Sequence, residues 1–297
     1  MSTKNARRID PSIPFDHAEL TEQLHALAEQ YSVAELGYLG TSVLDKGIPS
    51  VSVGHGRRRL LYVGGQRASD RISSALLVRF LWELAYAAEA DACIGHLHYR
   101  TVFETHTVTV IPMLNPDGID YSIHGIRKDN PLYERLIDMN GGSEDFSHWQ
   151  GNARGVDLTR NYGIPAEGHS VASPTGNAPE SEPEVYALCN LIRYREDLLG
   201  VFSLHDAPQK GIRYESIGVA PPRSKEIAKR LSSMTGYKIV TTEEECACGL
   251  TDWCIRERSI PAFSVTCARQ ESKEPPHALS LAYADLRTSL FTFPILL

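Results

Sequence analysis

The stretch Leu60-Leu-Tyr-Val-Gly-Gly-Gln-Arg-Ala-Ser-Asp-Arg-Ile-Ser-Ser-Ala-Leu-Leu-Val-Arg79 decides the fold class. It opens on an apolar run, Leu60 to Val63, of the length of a buried strand, and breaks on Gly64-Gly65. Beyond the break, Ile72, Leu76, Leu77, Phe80 and Leu84 recur at the spacing of one buried helical face. Between strand and helix lies a short polar loop, Gln66 to Arg71. A strand, a loop and a helix in that order are the unit of an α/β protein, and such proteins build sites outside the carboxyl ends of their strands.

The flanking sequence repeats the alternation. Phe15 to Tyr31 carries apolar residues on one helical face behind Asp16, a plausible N-cap. Short strands follow at 33–39, 50–53 and 60–63, and further strands at 107–112, 200–204 and 261–267. Helices are predicted at 72–90, 132–139, 182–195, 222–235, 249–258 and 279–293. Met113 to Gly118 reads as a turn-rich stop, and 119–180 has little periodicity, which marks it as a functional loop region. The pattern predicts an α/β sandwich around a largely buried sheet.

At 297 residues and 42% hydrophobic content the chain has ample material for a core. A net charge of -7 without a basic cluster argues against a nucleic-acid partner. No run is long enough to span a membrane, and the basic N-terminus lacks the apolar region of a signal peptide. Six cysteines in a chain this long do not make a disulfide scaffold, so a cytoplasmic protein with reduced thiols is expected. Cys246, Cys248, Cys254 and Cys267 are expected as core or loop thiols, because Cys-x-Cys is not the usual spacing of a structural zinc site. His96, His98 and His106 are expected on a surface hairpin.

Five phrases carry a closer likeness. They are Pro112-Met-Leu-Asn-Pro-Asp-Gly118, Asn140-Gly-Gly-Ser143 with Trp149, Arg154-Gly-Val-Asp-Leu-Thr-Arg-Asn161, Ser181-Glu-Pro-Glu184 and Ser203-Leu-His205. In this order and spacing the chain resembles the zinc carboxypeptidase family, in its bacterial γ-D-glutamyl-diaminoacid peptidase-like branch. The resemblance runs from about Asp16 to Phe293. It implies one zinc-carboxypeptidase-like domain over 15–297 after an N-terminal extension, 1–14, with a mixed, mostly parallel twisted sheet and helices on both faces.

The resemblance also implies a site. Family members place two zinc ligands, a His-x-x-Glu pair, in the loop after a strand, a third His at a strand end, and a general-base Glu on a C-terminal strand. Three such ligands leave zinc an open position where bound water loses a proton to the carboxylate. Here Arg67 stands at the first-ligand position and Asp70 at the second, while His205 matches the third. Thr266 stands at the general-base position. An Arg has no lone pair to give a metal. Thr159-Arg160 replaces the Asn-Arg pair that contacts the substrate carboxylate in relatives, and Arg154 lies in the same phrase, so Arg154, Thr159 and Arg160 are the expected substrate-binding residues.

Asn115, Asp117 and Asp157 read as turn builders, and Glu182 and Glu184 as a helix N-terminus. Several outcomes are compatible with this set. The Arg67 guanidinium can stand where the metal would be, balanced by Asp70, in a cleft that binds a peptide or small carboxylate without zinc. A rebuilt metal site can recruit the Gln66 carbonyl beside Asp70 and His205. A regulatory or scaffolding protein can use an outer face alone, and a thiol hydrolase can pair Cys267 with His205. Oligomeric state is not written in the sequence.

Overall fold

A computed structural model describes residues 14–94, 97–163, 176–216, 218–240, 249–268 and 278–297. The N-terminal half runs α1 (His17–Gln30), β1 (Ala34–Thr41), β2 (Gly47–Val53), β3 (Arg58–Val63) and α2 (Arg71–Glu89). A small hairpin, β4 (Cys93–Ile94) and β5 (Leu97–His98), leads to α3 (Tyr99–Thr105) and β6 (His106–Ile111). Next come α4 (Pro116–His124), α5 (Tyr133–Met139), a 3-10 turn at Leu158–Arg160, α6 (Pro183–Tyr194) and β7 (Leu198–Ala207). The chain closes with β8 (Gly211–Arg213), α7 (Ser224–Thr235), β9 (Lys238–Ile239), α8 (Leu250–Arg258), β10 (Ala262–Ala268) and α9 (Ala278–Leu296).

Eight strands form one sheet in the order β1-β2-β6-β3-β7-β10-β8-β9. The centre, β6-β3-β7-β10, is parallel, whereas β1, β2 and β8 pair antiparallel with their inner neighbours. The expected mixed α/β architecture is therefore present. β3 shows why its sequence is apolar throughout: Leu60 and Tyr62 pack into one core, Leu61 and Val63 into the other. The first core is covered by α1, α2, α3, α7 and α9, and the second by α6 and α8.

Two helices lie where turns and loop were expected. Asn115 caps α4 by accepting from Gly118 N at 2.9 Å, and Pro116 occupies the first turn. These are helix-start signals that the Asn-Pro-Asp-Gly phrase also shares with turns. The short α3 occupies the segment expected to be a histidine-bearing surface hairpin. Of those histidines, His98 is on the hairpin, His106 is buried at the start of β6, and His96 lies outside the described residues. The same holds for Cys246 and Cys248, while Cys254 and Cys267 are buried core thiols, as expected. Among the described residues, no helix is long and apolar enough to cross a membrane.

Candidate active-site cleft

The parallel strands bring the expected residues together at their carboxyl ends. Val63 of β3 pairs with Ser203 of β7, and His205 of β7 pairs with Thr266 of β10. The loop after β3 turns back sharply at Gly65, where φ is 58° and an added Cβ would lie 2.8 Å from the Met113 backbone. Glycine meets both demands. That turn carries Gln66, Arg67 and Asp70 to the mouth of the sheet, beside the N-terminus of α2.

Asp70 is fully buried, and its carboxylate collects three donors. His205 Nδ1 lies 3.2 Å from Oδ2, Arg67 N donates to Oδ2 at 3.1 Å, and Asp206 N donates to Oδ1 at 3.2 Å. Burial by itself raises the Asp70 pKa. The His205 hydrogen bond and charge, the Arg67 charge and the Arg67 N–H outweigh it, and the carboxyl is held below its ordinary value. Although Asp70 is the N-cap residue of α2, its side chain does not cap the helix. Asp206 does so from β7, accepting from Ile72 N and Ser73 N, both at 2.8 Å. The charged end of a long helix thus favours the carboxylates gathered there.

The other side of His205 is equally engaged. Its Nε2 lies 2.8 Å from Ser203 Oγ, and Gln66 Nε2 donates to the same hydroxyl at 2.7 Å. With Nδ1–H directed to Asp70, Nε2 is left to accept from Ser203, a tautomer inferred from this network. Gln66 is buried too, and its Oε1 accepts from Tyr162 OH at 2.7 Å. The carbonyl that a rebuilt metal site would recruit is therefore turned to a tyrosine.

Arg67 reaches across to the loop of the Arg-Gly-Val-Asp phrase, where its Nε lies 3.5 Å from Asp157 Oδ2. Asp157 builds the expected turn by accepting from Thr159 N and Oγ1 at 2.9 and 2.7 Å, and it also balances this guanidinium. Its role as a counter-charge is invisible in the local sequence, because Arg67 is distant in the chain.

These groups border an open cleft of about 350 Å³. Gln66, Arg67, Asp157, Thr159, Arg160, His205, Arg213, Gly249, Leu250, Thr251, Ser264 and Thr266 line it. Among the described residues, no carboxylate pairs with Arg160. Arg154 does not line the cleft. It points to the start of α6, with Nη1 3.6 Å from Glu182 Oε2. Thr266, expected at the general-base position, donates its Oγ1–H to Gln209 O at 2.8 Å. Cys267 is not within reach of the His205 ring: its Sγ contacts His205 O at 3.4 Å and Asp206 Oδ1 at 3.6 Å, and burial pushes the thiol pKa up. That geometry removes the thiol-hydrolase reading.

Comparison with known proteins agrees with this fold. The model of the zinc carboxypeptidase family matches residues 20–262. The γ-D-glutamyl-L-diamino acid endopeptidase 1 of Lysinibacillus sphaericus is 27% identical over 259 residues, 84% of this chain and 65% of that one. The chain thus spans just under two thirds of that relative's length. Bovine thrombin-activatable fibrinolysis inhibitor, solved with a tick carboxypeptidase inhibitor, superposes with a TM-score of 0.72 at 16% identity, covering 96% of this chain and 97% of that one. The murein-tripeptide amidase MpaA of Escherichia coli O157 superposes with a TM-score of 0.50 at 22% identity, covering 84% of this chain and 90% of that one.

The donor set here does not fit the zinc of such proteins. Among the described residues, Asp70 and His205 offer two groups where structural or catalytic zinc takes at least three from protein. Arg67 has no lone pair, and Gln66 Oε1 is taken by Tyr162. Among the described residues, no group of three His, Cys, Asp or Glu side chains could hold a metal ion.

Proposed function

The chain belongs to the zinc carboxypeptidase family, and from that premise we propose that its cleft binds short, murein-type peptides or small carboxylates by a free carboxylate, without zinc-dependent hydrolysis. The observation that carries this reading is the Arg67–Asp157 ion pair at the first-ligand position. A cation fixed there disfavours a second cation beside it, and no general base stands at Thr266. In this reading Arg160 takes the ligand's carboxylate through its planar fork of donors. The Thr159 hydroxyl is committed to Asp157, so Thr159 fixes the turn on which Arg160 sits. His205, clamped between Asp70 and Ser203, forms a polar floor to the cleft. Function resides in the site and not in the fold, so the family likeness does not require peptidase chemistry.

An outer-surface scaffolding role is the rival reading. The open cleft, with Arg160 beside His205 on its wall, favours a ligand. Calorimetry decides between them. The full chain should bind an acyl-dipeptide with a free carboxylate at least about tenfold more tightly than the same peptide amidated, and Arg160→Gln should abolish the difference. Elemental analysis of the same preparation, after exposure to zinc and dialysis, should find no stoichiometric metal. Retained zinc together with peptide turnover would overturn the zinc-free reading. Equal binding of acid and amide would overturn the carboxylate reading.

A further inference from the structure

Strands β2 and β6 alternate where β3 is apolar throughout. In Ser50-Val-Ser-Val53 and Thr107-Val-Thr-Val110 the valines lie in the first core, so Ser50, Ser52 and Thr109 face the other side of the sheet. On that side α6 packs over Ile48, Leu61 and Ile111 in the second core, while the three hydroxyl residues stay only half-buried. A groove of about 520 Å³ lies between this hydroxyl floor and α6, and it shares no lining residue with the cleft. Its size is that of a small-molecule site, roughly 300–1,000 Å³.

The groove's polar groups have hydrogen bonds to spare. Ser52 Oγ and Thr109 Oγ1 lie 2.9 Å apart, so one hydroxyl donates to the other and one O–H is left over. Asn190 Oδ1 accepts from Arg193 Nη1 at 2.8 Å, which leaves the amide N–H groups unused. Among the described residues, Ser50 Oγ, Tyr186 OH and Asn190 Nδ2 have no hydrogen-bond partner. Gly37 keeps the Ser50 hydroxyl uncovered. The two residues pair across β1 and β2, and a Cβ on Gly37 would lie 3.7 Å from Ser50 Oγ with nothing else within 4 Å. Charge selects little here. No carboxylate lines the groove, Arg59 is balanced by Asp197 at 2.7 Å, and Arg195 is exposed to water.

We propose that this groove is a second binding site and that it takes an uncharged saccharide. A sugar ring has an apolar C–H face for the Tyr186 ring, which borders the groove on a residue 56% exposed. Its hydroxyls both donate and accept, which matches Ser50, the Ser52–Thr109 pair and the Asn190 amide. A fatty acyl chain would instead leave every one of these groups unpaired.

The test is titration of the full chain with maltose, N,N′-diacetylchitobiose and octanoate, followed by saturation-transfer NMR. At least one of the two disaccharides should saturate, and octanoate should not displace it. Tyr186→Ala should weaken that disaccharide about fivefold, the share of an aromatic stacking contact. Gly37→Val should weaken it by a similar factor by covering Ser50, and valine suits the regular strand backbone at this position. Both positions are at the surface of the groove, so neither variant removes core packing. Failure of both disaccharides to bind overturns the proposal. So does binding that ignores both substitutions, which places the sugar elsewhere on the chain. Octanoate binding that Gly37→Val abolishes overturns it as well, and makes the groove an apolar site.

Discussion

Replacing Arg67 by His would put an imidazole beside Asp70 and His205 and restore three donors of the kind zinc takes. Asp157, released from the guanidinium, would then be free to hold the second ring nitrogen of the new histidine, as second-shell carboxylates commonly do. The Arg67→His variant should accordingly retain about one zinc per chain after dialysis, with the wild type retaining none, as measured by elemental analysis. Equal zinc in the two proteins would show that Arg67 does not decide metal binding. Three of these positions, Arg67, Asp70 and His205, were legible in the sequence because each sits in a phrase of recognisable order. Ser203, Asp206 and Tyr162 were not legible as partners. Their hydrogen bonds cross from β7, or from the residues after the 3-10 turn, to the loop after β3 and the first turn of α2, and nothing in local spacing encodes such a contact. The tie from Asp157 to Arg67 was hidden for the same reason, since the residue also fulfils an ordinary turn-building role.

The start of α6 shows how one element can couple stability to pH. Glu184 is fully buried there, Asn152 Nδ2 donates to both Glu182 and Glu184, and Val43 N donates to Glu184 Oε1 at 3.2 Å. Asp117 from α4 is buried nearby, with Lys46 Nζ at 3.5 Å. Desolvation chiefly, and the Asp117 charge further, raise the Glu184 pKa from 4.5 to about 7 against the pull of its hydrogen bonds. The folded state therefore binds more protons than the unfolded state between these values, and stability falls as pH rises through that window. The expected loss is about 3 kcal/mol, complete just above neutrality. Glu184→Gln keeps an acceptor for Val43 N and removes the titration. Urea midpoints at about pH 5 and about pH 8 should diverge for wild type and converge for the variant. A variant with the wild-type slope would assign the pH dependence elsewhere. The sequence showed Glu182 and Glu184 as a helix start but not their burial, because a carboxylate pair at a helix N-terminus is ordinarily solvated. The α4 helix was missed for a related reason: the capping residues of a short helix are also turn residues, and nine residues give too little periodicity to separate the two.

At the scale of the molecule, the apolar runs made the sandwich legible, since a strand buried on both faces must be apolar at every position. Strand order was beyond local reading, because β8 enters the sheet beyond β10 and only long-range packing fixes that. The same two-faced strands determine how the protein should unfold. Phe293 of α9 packs edge-on against Tyr62 and Phe263 in one core, while Leu188 of α6 lies in the other. Neither layer has a sheet of its own: Tyr62 and Leu61 are neighbours on β3, and Phe202 and Val201 on β7, with each pair split between the cores. Melting one layer strips the other of its supporting face. Phe293→Ala should therefore cost about 3–5 kcal/mol and Leu188→Ala about 2–5 kcal/mol. Both variants should still unfold in one transition, with far-UV circular dichroism and tryptophan fluorescence superimposing along the urea curve. Two separated transitions in either variant would mean that one layer survives alone, and that the shared strands do not couple the cores.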